Sequence, residues 1–96
     1  MIDKLNKAFE SRVRLGIMSA LMVNDHADFN TLKDLLQVTD GNLASHLKAL
    51  EHGEHVAMQK EFIGRKPNTK YHATKQGRQA FSEHISALEA LIKNNS

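Results

Sequence analysis

Leucines divide the middle of the chain into faces. Leu43, Leu47 and Leu50 recur at i, i+4 and i+7, so all three fall on one side of a helix. Thr39 precedes this run as an N-cap, Asp40 complements the positive helix end, and Gly53 is a natural stop. With a turn of about 100° per residue, Gly41, Asn42, Ser45, Lys48, Ala49 and His52 then point outward. Upstream, Leu32, Leu35 and Leu36 give an inward face to a short helix, TLKDLLQ, with Phe29 as an anchor and Asn30 or Thr31 as its cap. The short connection around Val38 gives the pair helix-turn-helix spacing over about 30–53.

The pattern changes after Gly53. Val56 to Ile63 and Thr69 to Ala73 carry strand-forming residues, and Gly64, Pro67 and Asn68 interrupt them. A hairpin over about 56–73, with a loop longer than two residues, is expected. Val56, Met58, Tyr71 and Ala73 are candidates for its inner face. Thr74 then caps a final helix over about 74–94, and Gly77 costs that helix some stability in its first turn. Phe81, Ile85, Leu88 and Ile92 form one row on it, and Ala80, His84, Ala87 and Leu91 an adjacent one. Such a helix is about 30 Å long. It is too long and too apolar to lie unpaired on so small a domain.

At the N-terminus, Ile2, Leu5 and Phe9 predict a short amphipathic helix. A second helix is expected from about Ser11, its cap, to Asn24. Val13, Ile17, Ala20 and Leu21 line one side of it, and Leu15, Met18 and Met22 line nearly the opposite side. A helix apolar on two sides is buried on two sides, one against its own domain and one against a neighbouring helix or subunit.

The 96 residues are expected to form a single domain, mainly α with a small β-hairpin (α+β). Net charge is only +2, but its distribution is uneven. Between Lys60 and Gln79, Lys60, Arg65, Lys66, Lys70, Lys75 and Arg78 face one acid, Glu61; that segment carries +5 and the remainder −3. Concentrated positive charge beside a polar helix face is the footprint of a phosphate-binding surface. There are no cysteines, hence no disulfide framework or thiolate metal site. No apolar run approaches the ~18 residues of a membrane span, and MIDKLNKAFES lacks the apolar core of a signal peptide. A soluble, cytoplasmic protein without a membrane partner is expected.

Helix and hairpin together suit double-stranded DNA. Small outward residues let a helix sit deep in the major groove, where Asn42 and Ser45 can hydrogen-bond base edges or phosphates. Gly41 allows close backbone approach, and the free N–H groups of the helix start attract phosphate. Thr31, Thr39 and Lys48 suit backbone contacts that fix register. His46, beside the leucine stripe, is either a boundary histidine or a phosphate contact. Arg65 can enter a narrow minor groove, with Lys66 and Lys70 near phosphates. Six histidines raise the question of a metal, but His52 and His55 flank Gly53, and His84 has no second ligand along its helix. Ser45-His46 and Ser82-Glu83-His84 are neighbours that do not face each other on a helix, so no catalytic pairing is expected. No cofactor is expected either.

Three segments, RVRLGIMSAL, FNTLKDLLQVTDGNLASHLKALE and GRKPNTKYHATKQGRQAF, carry a resemblance that runs from about Arg12 to Leu91. The chain resembles the small single-domain winged helix-turn-helix transcriptional regulators of the MarR/ArsR-like group. The resemblance implies that the helix from Thr39 is a recognition helix and Gly64–Asn68 the tip of a wing. It implies a two-fold dimer joined through terminal helices and bound to a palindromic operator. The apolar positions that would join two copies are Ile2, Leu5, Phe9, Leu15, Met18, Met22, Phe81, Ile85, Leu88 and Ile92. The cysteine and clustered histidine ligands of metal-responsive relatives are absent, and little room remains for an inducer pocket. A protein–protein interaction module and an effector-responsive sensor are the alternatives.

Overall fold

A computed structural model describes residues 2–94. In chain order they form α1 (Arg12–Val23), β1 (Ala27–Asp28), α2 (Phe29–Leu36), α3 (Asp40–His52), β2 (Val56–Ile63), β3 (Lys66–Ala73) and α4 (Lys75–Asn94). Two single-turn 3-10 helices, Ile2–Lys4 and Lys7–Phe9, precede α1 where one amphipathic helix is expected. The break lies at Asn6. Its backbone is extended, its side chain accepts from Ala8 N, and its own N–H is donated to His84 Nδ1 at 2.9 Å. A local side-chain bond and a long-range backbone bond replace the helical ones.

The expected cap of α1 is present: Ser11 Oγ accepts from Arg14 N at 3.3 Å. Its far end is closed from outside. Arg78 on α4 donates to the carbonyls of Leu21 and Met22 at 2.9 and 3.3 Å, placing a cation on the negative end of the helix. Helix α2 starts two residues before the expected TLKDLLQ, because Asp28 rather than Asn30 or Thr31 is the cap. The Asp28 carboxylate accepts from Thr31 N at 2.8 Å. Thr39 caps α3, its hydroxyl accepting from Asn42 N at 3.2 Å. The connection is Gln37-Val38-Thr39, with Gln37 in the left-handed region at φ 57°. A 2.8 Å ion pair between Lys33 and Asp40 spans it. Gly53 does end α3, but at φ −80°; the left-handed residue is Glu54 at φ 62°.

The sheet is antiparallel and three-stranded, in the order β1-β3-β2. Its third strand is not foreseen in the sequence pattern: Ala27 and Asp28 pair with Tyr71 and Lys70. Two residues are too few to show a period, and their partner lies more than forty positions away. The hairpin is tighter than expected. Ile63 pairs with Lys66, so only Gly64 and Arg65 turn the chain. Gly64 has φ +65° and Arg65 does not share it, the pattern of a type II′ turn. Pro67 and Asn68 are therefore strand residues, paired with Phe62 and Glu61. One step from the turn the ladder has a non-hydrogen-bonded pair, so the missing N–H of Pro67 faces outward and breaks no bond to β2.

Phe9, Ile17, Met18, Leu21, Leu32, Leu43, Leu47 and Leu50 are fully enclosed and form the centre of the core. Val56, Tyr71 and Ala73 close it from the sheet as expected, whereas Met58 is 43% exposed. Phe9 sits among three rings, His55, Phe81 and His84, with centroids 4.9, 5.2 and 5.5 Å away. This corrects part of the expected dimer surface: Phe9, Met18 and Phe81 fill this chain's own core, and the enclosed Phe9 and Met18 have no surface for a partner. Gly77 also has a role that helix propensity hides. A Cβ there would lie 2.0 Å from the carbonyl oxygen of His55, so α4 can cross the end of the sheet only at a glycine.

Candidate nucleic-acid interface

Docking of Leu43, Leu47 and Leu50 turns the other side of α3 to solvent. Gly41, Asn42, Ser45, Lys48, Ala49 and His52 are all exposed, as the spacing requires, and Ala44 is exposed with them. His46 is half-buried at the edge of the leucine stripe. The first turn of α3 presents backbone N–H groups beside Gly41, where nothing would crowd even an added Cβ. Thr31 and Thr39 are exposed at the starts of α2 and α3.

The ribbon of β2 and β3 stands beside this helix. Its strands are eight residues each, and the outer half is covered by no third strand because β1 reaches only Lys70 and Tyr71. Arg65 and Lys66 are exposed at the tip. Lys70 is placed differently. Its ammonium lies 3.3 Å from the Glu61 carboxylate, which also accepts from Asn68 Nδ2 at 3.1 Å. The Asn68 hydrogen bond, then Lys70, hold the Glu61 carboxyl below the usual carboxylate range. The expected group of three wing cations therefore separates: Arg65 and Lys66 are at the tip, and Lys70 is engaged within the ribbon about 13 Å from Lys66 at ~3.3 Å per residue. Lys33, a neighbouring cation on α2, is committed to Asp40, whose bond raises its pKa.

No group of three or more potential metal ligands occurs among the described residues, and none of their helices is long and apolar enough to cross a membrane. His55 is buried with Nδ1 unpaired, and burial lowers its pKa. His84 accepts from Asn6 N. These imidazoles serve the ring cluster around Phe9 rather than an open site.

Comparison with known proteins places this arrangement. An uncharacterised protein of Methanocaldococcus jannaschii is 40% identical over 88 residues, covering 92% of this chain and 96% of its own. A transcriptional regulator homologue of Pyrococcus horikoshii OT3 superposes with a TM-score of 0.82 at 30% identity, covering 98% of each chain. A protein of Enterococcus faecalis V583 assigned to the MarR family of transcriptional regulators shares the fold, with a TM-score of 0.76 at 19% identity over 91% of this chain and 77% of its own. The family model for the winged helix DNA-binding domain matches residues 13–92, which contain α3, the ribbon and nearly all of α4. The chain belongs to the family of winged helix DNA-binding domains found in transcriptional regulators.

Proposed function

We propose that this single domain acts as a homodimeric, sequence-specific regulator of transcription, with α3 in the major groove and the β2–β3 wing on the flanking backbone or minor groove. The observation that carries the reading is the division of α3. One side is fixed in the core by three leucines, and the other is small and polar, with no side-chain ion pair among the described residues beyond the Lys33–Asp40 bond at its start. Asn42 and Ser45 are the base-reading candidates, with Gly41 permitting close approach. Thr31, Thr39, His46 and Lys48 supply phosphate contacts. Arg65 and Lys66 supply charge at the wing tip, and Lys70 supports the ribbon from within.

One copy of α3 covers only a half-site, so a palindromic operator requires two copies about 34 Å apart. The apolar positions left at the surface support a dimer through the terminal segments. Ile2 and Ile92 are exposed, Ile85 lies at the boundary, and Leu5, Leu15, Met22 and Leu88 are half-buried. A groove between α1 and α4, lined by Ser19, Met22, Phe81, Ser82, Ile85 and Ser86, continues this surface. Selection of bound duplexes from random DNA tests the proposal. A two-fold symmetric consensus with half-sites one helical turn apart is expected; recovery of unenriched sequences would contradict sequence-specific binding.

A further inference from the structure

The wing carries an apolar side chain that charge alone does not explain. Phe62 is 73% exposed, whereas the other four aromatic residues, Phe9, Phe29, Tyr71 and Phe81, are buried or half-buried. Strand alternation defines its surroundings. Val56, Met58, Lys60 and Phe62 share one face of β2, and their partners Ala73, Tyr71, Thr69 and Pro67 share that face of β3. At its inner end this face closes the core to which α3 is docked. Further out it continues past the body as Met58, Lys60, Phe62, Pro67 and Thr69. No carboxylate lies on it. Glu61, the one acid of the ribbon, belongs to the opposite face, where Asn68 and Lys70 hold it. Lys60 stands two residues before Phe62, and Arg65 follows three residues after.

We propose that Phe62, backed by Pro67 across the ribbon, is an apolar contact that packs against the deoxyribose wall of the minor groove beside the phosphates held by Arg65 and Lys66. A surface both apolar and cationic, without acids, matches a groove with sugar walls and a phosphate rim. Other minor-groove proteins place apolar side chains in that groove as wedges between base steps; here the ring needs only to lie along the sugars. The inference rests on the DNA-binding reading above and adds a contact to it that is independent of charge.

The chain has no tryptophan, so Phe62→Trp introduces a single fluorescent reporter. Binding of a labelled duplex is followed by anisotropy in the same samples. In the complex the indole emission of Phe62→Trp is expected to shift to the blue and to resist acrylamide. Phe62→Ala is expected to raise Kd about tenfold, the scale of one buried aromatic side chain. Its salt dependence should stay unchanged, because no counterion is involved, while Arg65→Ala lowers the slope by about 1. The ring is exposed, so Phe62→Ala should melt as the wild type does. Binding at wild-type affinity with an indole still fully quenchable, or a Kd unchanged in Phe62→Ala, would overturn the sugar-wall contact and leave the DNA reading intact. An indole that becomes protected without DNA as protein concentration rises would mark the face as a contact between copies, and also overturn it. Failure of the wild type to bind any duplex would remove both.

Discussion

Two residues show how far single positions decide this fold. Gly77 permits the close crossing of α4 over the His55 carbonyl. Gly77→Ala puts a methyl against backbone that cannot move aside, so a loss of about 2 kcal/mol is expected, or roughly 10 °C in Tm for a domain of this size. A melting curve checks it, and an unchanged Tm would mean that the crossing is looser than described. Asp28 is the second. Its hydrogen bond to Thr31 lowers its pKa from the ordinary 3.8. The folded state therefore binds this proton less readily than the unfolded one. The stabilisation is present above the unfolded pKa and is lost as pH falls through the folded pKa. Asp28→Ala should cost about 1 kcal/mol at neutral pH, and the cost should shrink in melts taken below the carboxylate range. A cost independent of pH would contradict the charged cap. Neither role was legible in the sequence. A glycine in a first helical turn looks like a flaw until its neighbour is known, and Asp28 competes with Asn30 and Thr31 as a cap on equal chemical terms.

At the scale of elements, local chemistry was a good guide and long-range pairing was not. Thr39, Ser11 and Thr74 were legible as caps because each bonds to a backbone N–H three residues on. The outward face of α3 followed from three leucines. The two-residue β1 and the single-turn segments before α1 did not follow, because both depend on partners far along the chain: β3 in one case and His84 in the other. The wing tip is tighter than composition suggests: Pro67 and Asn68 look like loop residues, but the ladder tolerates a proline whose missing N–H faces outward. The functional claims of these elements separate in solution. Asn42→Ala should relax sequence preference across a panel of single-base variants and alter affinity for random DNA little; a uniform loss would reassign Asn42 to the backbone. Arg65→Ala with Lys66→Ala should weaken binding to every duplex and lower the salt slope by roughly 2. An unchanged slope would remove the wing tip from the interface.

For the whole molecule, the question is how two copies of α3 come to be held. The chain is elongated, 54 by 25 by 21 Å. The apolar rows of its terminal segments are divided between its own core and the surface. Phe9, Met18 and Phe81 went to the core; Ile85, Leu88 and Ile92 remained on or near the outside. Periodicity identified these rows but could not say which would meet the domain's own core, since Leu15, Met18 and Met22 share a stripe. Ile85→Glu and Leu88→Glu should yield monomers in sedimentation, and intact dimers would move the interface to another face.

The central claim is that this fold binds double-stranded DNA through a charged wing beside a polar helix. The most direct measurement is titration of a labelled random duplex with the full chain at low and moderate salt. Binding that weakens steeply, by a factor of about 40 or more between about 50 and 200 mM salt for three or more released counterions, is predicted. Absence of binding, or binding indifferent to salt, would contradict the account and favour a surface built for another protein.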